Sequence, residues 1–129
     1  MNSHLPNGYS GQYVGGVEVS KYEKEISEAF NVEHVVAVNS GTDALILGLS
    51  ALGIGPGDEV ITTPFTFIAT AEVIQLLKAK PVFVDIEPET FNLDAKKIAE
   101  KISEKTKAII PVHIYGQPCD MGAILDIAN

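Results

Sequence analysis

Arginine and tryptophan are absent from this chain of 129 residues, and cysteine occurs once. Without arginine there is no planar guanidinium fork to grip a carboxylate or phosphate at two points. All 9 basic residues are lysines. A bound anion must therefore be held by backbone N–H groups, hydroxyls or amides, or by another part of a complex. The single Cys119 excludes a disulfide within the chain and fits a reducing compartment. Cationic charge is also scarce: 17 acidic residues against the 9 lysines give a formal net charge of -8. That balance argues against unaided binding to nucleic acid or to an anionic membrane, both of which need a basic face. The apolar runs are too short to span a bilayer, and Met1 to Gly16 has neither a basic nor an apolar leader region. The expectation is a soluble, cytoplasmic protein. No second histidine or cysteine stands at metal-ligand spacing from His113, so no metal site is expected.

With hydrophobic residues at 46% and charged ones at 20%, the composition suits an ordinary globular domain with a real core. The expected organisation is a loop segment over 1–16 followed by one α/β unit over 17–129. Tyr22, Ile26, Ala29 and Phe30 recur at helical spacing, giving a helix that ends near Asn31. Val35 to Val38 reads as a short buried strand, and Thr42 to Leu52 as a helix stopped at Gly53. After the Gly55–Asp58 turn the alternation continues. Strands are expected at Glu59–Thr63, Pro81–Val84 and Lys107–Val112, and helices at Thr66–Leu77, Asp94–Ile102 and Met121–Ala128. Such alternation means a doubly wound, mostly parallel sheet with helices on both faces. An alternating fold would next place another strand after Asn129, so the sequence reads as the front part of something larger.

The richest segment is Val35 to Leu52, a strand, a small polar turn and a helix. Asn39, Ser40, Gly41 and Thr42 open that helix, where unpaired N–H groups and the positive end of the dipole favour a phosphate. The same residues have a plainer explanation, because Ser40 with Asp43 three positions on can simply cap the helix. Other strand ends supply Thr63–Phe67, Asp85 and Val112–Gly116. In an open α/β sheet, ligands gather at these carboxyl ends. Phe65 or Phe67 could lie flat on a planar ligand, although a phenylalanine is more often core. His113 could shuttle a proton or donate to a ligand, or be hydrogen-bonded structure. Asp85 reads as a loop-fixing carboxylate.

Three familiar sites are excluded. Gly53, Gly55 and Gly57 follow a helix and precede a strand, the reverse of a dinucleotide-binding loop. No lysine of the phosphate-loop type follows Gly41, and no Gly-x-Ser-x-Gly elbow occurs.

Five segments together resemble the DegT/DnrJ/StrS family of sugar aminotransferases. They are Asn39-Ser40-Gly41-Thr42-Asp43-Ala44-Leu45, Gly55 to Ile61, Thr66-Phe67-Ile68-Ala69-Thr70, Pro81 to Asp85, and Pro111-Val112-His113-Ile114-Tyr115-Gly116-Gln117-Pro118. Their order and spacing match along nearly the whole chain, from Tyr13 onwards. These are pyridoxal-phosphate enzymes of the aspartate aminotransferase fold, so the resemblance implies an incomplete large domain of that fold. Ser40, Gly41 and Thr42 are then the phosphate site, Phe67 the aromatic stacked on the pyridine ring, and His113 part of the segment lining the cofactor cleft. Family members usually move an amino group, commonly from glutamate, to a keto group on a nucleotide-linked sugar, and work as homodimers.

The chain departs from the family where the mechanism is decided. The aspartate that pairs with the pyridine nitrogen and the Schiff-base lysine belong to positions after the last helix, and neither occurs here. Without them the cofactor has no covalent anchor, no base and a weak electron sink. No catalytic residue is therefore assigned, and the chain is expected not to transaminate alone. Two alternatives stand beside this reading: a non-catalytic interaction module that assembles with a complementing C-terminal half, and a free-standing phosphate- or nucleotide-binding domain.

Overall fold

The computed structural model describes residues 16–129. The expected loop over 1–16 and the resemblance at Tyr13 lie outside these residues, apart from Gly16, which precedes the first helix. The described residues form two compact units divided between Asn39 and Ser40.

The first unit holds helix α1, Val17–Phe30. Asn31 ends it in the left-handed region (φ 51°), a conformation asparagine tolerates better than most residues. None of its side chains is buried. Val35 to Val38, expected as a strand, has no ladder partner among the described residues, and this is the main correction to the sequence reading. Its backbone is met instead by a side chain, the Ala37 N–H donating to Glu23 Oε1 at 2.9 Å. A β-strand exists only through its neighbour's hydrogen bonds, which apolar character alone does not supply.

The second unit begins with α2, Gly41–Ala51, capped by Ser40. It closes in a Schellman turn: Gly53 takes φ 74°, its N–H bonds Ser50 O, and the Ile54 N–H bonds Leu49 O. Leu49 and Ile54, the apolar pair that accompanies this motif, are both buried. There follow β1 (Glu59–Thr62), α3 (Ala69–Leu76), β2 (Lys80–Phe83), α4 (Ala95–Ile98), β3 (Thr106–Ile109) and α5 (Met121–Ala128). The three strands are parallel in the order β2-β1-β3, as the alternation demanded.

Neighbouring residues on one strand point to opposite faces, and two cores result. Val60, Ala108 and Ile110 pack with α2 and α3 through Leu49, Val73 and Ile74. Ile61, Val82, Val84 and Ile109 pack with α4 and α5 through Ile98 and Ile124. Helices thus cover both faces, with α3 on one and α4 and α5 on the other. Burial of each such Ile or Val contributes about 1.5 to 3 kcal/mol, so both layers matter to stability.

Three boundaries differ from expectation for local reasons. The helix expected from Thr66 starts at Ala69, because residues 64–66 form a bend in which Thr63 Oγ1 accepts the Phe65 N–H at 3.1 Å. The strand expected to reach Val112 ends at Ile109. One more ladder bond follows, Ile110 N–H to Ile61 O, and then Pro111 has no N–H to give. The helix expected over Asp94–Ile102 is four residues of α-helix capped by Asp94, tightened into a 3-10 turn over Ala99–Lys101. No helix among the described residues is long and apolar enough to cross a membrane.

Candidate functional site

The chain leaves β1 towards α3 on one face of the sheet and leaves β3 towards α5 on the other. Where two adjacent parallel strands send their connections to opposite faces, the loops part and leave a crevice at their carboxyl ends. An open cleft of about 250 Å³ lies there, lined by Pro64, Phe65 and Thr66 after β1 and by Ile114 and Tyr115 after β3. Thr66 Oγ1 is 3.0 Å from Thr70 Oγ1, which ties the β1 loop to the first turn of α3. The Phe65 ring leans on Phe91, with centroids 5.9 Å apart.

The other wall is held from a distance. Asn92 is buried and uses its whole side-chain amide on the loop after β3. Its Oδ1 accepts the Ile114 N–H at 3.1 Å, and its Nδ2 donates to Gln117 O and Pro118 O, each at 3.1 Å. Between these anchors, Tyr115 (φ 53°) and Gly116 (φ 80°) both take positive φ, and the Gln117 N–H bonds Ile114 O at 2.9 Å. That is the pattern of a type I′ turn, with tyrosine where Asn, Asp or Gly usually stands. The residue is 82% exposed. Nothing in the sequence pointed to Asn92, and Tyr115 stood within the Val112–Gly116 strand end without a role of its own.

The opening turn of α2 is built locally. Ser40 Oγ accepts the Asp43 N–H at 3.1 Å and donates to Asp43 Oδ2 at 2.7 Å, so its hydroxyl serves the cap. The two amides between them, of Gly41 and Thr42, meet no acceptor among the described residues. A Cβ built on Gly41 would find nothing within 4 Å, so approach to these amides is open and the chain's own packing does not require glycine.

Phe67 is exposed, between the bend after β1 and α3, which removes it from the core. His113 Nδ1 accepts the Cys119 N–H at 3.1 Å, so the neutral imidazole carries its proton on Nε2. Cys119 is buried, its thiol donates to Val112 O at 3.1 Å, and burial pushes its pKa up, which makes it a poor nucleophile. Asp85 fixes its own loop, Oδ1 accepting the Ile86 N–H and Oδ2 lying 3.8 Å from Lys97. The cleft brings together neighbours of Phe67 and His113, but Ser40, Gly41 and Thr42 do not line it. Among the described residues no group of three His, Cys, Asp or Glu side chains could hold a metal ion.

Comparison with known proteins gives these positions a context. Residues 8–129 match the model of the DegT/DnrJ/EryC1/StrS aminotransferase family. A pleiotropic regulatory protein of Geobacillus stearothermophilus is 51% identical over 120 residues, which are 93% of this chain and 32% of that protein. UDP-2-acetamido-2-deoxy-3-oxo-D-glucuronate aminotransferase of Pseudomonas aeruginosa is 50% identical over 119 residues, 92% of this chain and 33% of that one. The crystal structure of NtdA from Bacillus subtilis with bound cofactor PMP superposes with a TM-score of 0.86 at 45% identity, covering 88% of this chain and 26% of that chain. The chain spans about a third of the length of the curated relatives it matches.

Proposed function

Since the chain belongs to the DegT/DnrJ/EryC1/StrS aminotransferase family, whose aminotransferases depend on pyridoxal phosphate, we propose that it is the N-terminal part of an enzyme that aminates a nucleotide-linked keto sugar. The observation that carries this reading is the opening turn of α2. Two amides with no partner among the described residues stand at the positive end of an 11-residue helix, with open approach at Gly41. Backbone N–H groups at the start of a helix are a donor set that suits a phosphate.

The residues present fit the cofactor in part. Gly41 and Thr42 would hold its phosphate through backbone N–H groups and the threonine hydroxyl, while Ser40 keeps the turn in shape by capping. Phe67, whose side chain is exposed, would lie against the pyridine ring. His113, with Nδ1 engaged by the Cys119 amide, offers its Nε2 proton to a ligand oxygen. Pyridoxal phosphate, when bound, supplies the electron sink for moving an amino group. The chain's own part is binding and orientation, and we infer no catalytic residue and no transamination by the chain alone.

A complementing C-terminal portion and a second copy of the same enzyme are the proposed partners, and the cytoplasm the proposed compartment. Support for a covering partner comes from α2 and the segment around α3, which expose Leu47, Leu52, Ile68 and Leu76. The inactivity is tested by mixing the purified chain with pyridoxal phosphate, reducing with borohydride and mapping adducts by mass spectrometry. Scattered substoichiometric labelling of the 9 lysines is expected. A stoichiometric adduct at one lysine would overturn the claim.

A further inference from the structure

We propose that Tyr115 contacts the sugar ring of the substrate and that Asn92 is the positioning residue that holds it there, an inference resting on the nucleotide-sugar reading above. The cleft between the loops after β1 and β3 has no charged lining residue: Pro64, Phe65, Thr66, Ile114 and Tyr115 surround it. It cannot neutralise a phosphate, but it suits an uncharged hydroxylated ring. The aromatic faces of Phe65 and Tyr115 meet C–H faces, and Thr66 Oγ1 and the tyrosine hydroxyl meet ring hydroxyls.

Two adjacent residues organise both walls. Phe91 backs the Phe65 ring at 5.9 Å, and Asn92 brackets the Ile114–Gln117 turn with three hydrogen bonds. The turn places tyrosine in the left-handed region, which disfavours a side chain with a Cβ. The residue recovers little by burial among the described residues, since it is 82% exposed. Packing among the described residues does not offset the strain of this exposed aromatic, clamped from a position 23 residues earlier, and contact with a ligand does.

The test uses the 129-residue chain with UDP-N-acetylglucosamine as probe and UDP as control, read by calorimetric titration. Tyr115→Gly relieves the backbone, so the melting temperature should rise by a few degrees while affinity for the sugar nucleotide falls about tenfold and affinity for UDP stays the same. Asn92→Asp, which cannot donate to Gln117 O and Pro118 O, should give the same sugar-selective loss and move the Tyr115 Cα chemical shift out of its left-handed range. Should Asn92→Asp not fold, Tyr115→Gly alone decides. If Tyr115→Gly leaves the difference between the two ligands intact, or the unsubstituted chain binds both equally, the sugar contact is overturned and the nucleotide reading survives. If the unsubstituted chain binds neither, both fall.

Discussion

Two turns in the second unit are held in opposite ways. The opening turn of α2 is fixed by a residue three positions away, Ser40 on Asp43, and leaves two amides free. The turn at Ile114–Gln117 is fixed by Asn92, from 22 to 26 residues away, and leaves a side chain free. Local fixing costs little chain entropy and serves a site made of backbone, because a helix end already supplies N–H groups. Long-range fixing crosslinks two loops and can hold a conformation that tyrosine would not choose. The first arrangement offers donors to an anion, whereas the second offers an aromatic ring and a hydroxyl.

The contrast breaks most readily at Asn92. Asn92→Ala should orphan the Ile114 N–H and two carbonyls and cost about 3 kcal/mol in urea unfolding followed by circular dichroism. Ser40→Ala, which removes one cap from an exposed helix end, should cost only about 1 kcal/mol in the same measurement. Equal losses would show that the two turns are not held differently. Tyr115→Gly sharpens the contrast from the other side, with a gain of about 1 kcal/mol from released strain.

The smallest effect lies at the opposite end of the sheet, and serves as a control. Hydrogen bonds from the Lys80 ammonium (2.9 Å) and the Ser103 hydroxyl (2.7 Å) hold the Glu59 carboxyl below its usual 4.5. A lowered folded pKa means that the ionised form stabilises the fold above pH 4.5 and that this is lost as pH falls below it. Thermal melts between pH 6 and 3 should therefore fall less steeply for Glu59→Gln than for the unsubstituted chain. Binding at either turn should be unchanged.

The same division explains what the sequence disclosed. The Ser40 cap and the Gly53 stop were legible because each rests on contacts within about five residues. The parallel sheet was legible because alternation of elements leaves few topologies. Val35 to Val38 misled for the reason Val60 and Ile61 did not. Both segments are rich in β-branched residues, but only the second has neighbours to pair with among the described residues. At the site, Gly41, Thr42 and Phe67 carried a signal through their motifs. Asn92 carried none, since nothing near it in sequence announces the loop it would hold, and Tyr115 was visible only as part of the Val112–Gly116 strand end and the Pro111–Pro118 motif.

The central claim, that the opening turn of α2 is a phosphate cradle, is tested most directly by amide NMR of the 15N-labelled chain titrated with pyridoxal phosphate and, separately, with pyridoxal. The account predicts saturable shifts at the Gly41 and Thr42 amides with the phosphorylated compound only, and weaker binding in Thr42→Pro, which removes one of the two donor N–H groups. Equal shifts with pyridoxal, or shifts that leave Gly41 and Thr42 unmoved, would contradict it.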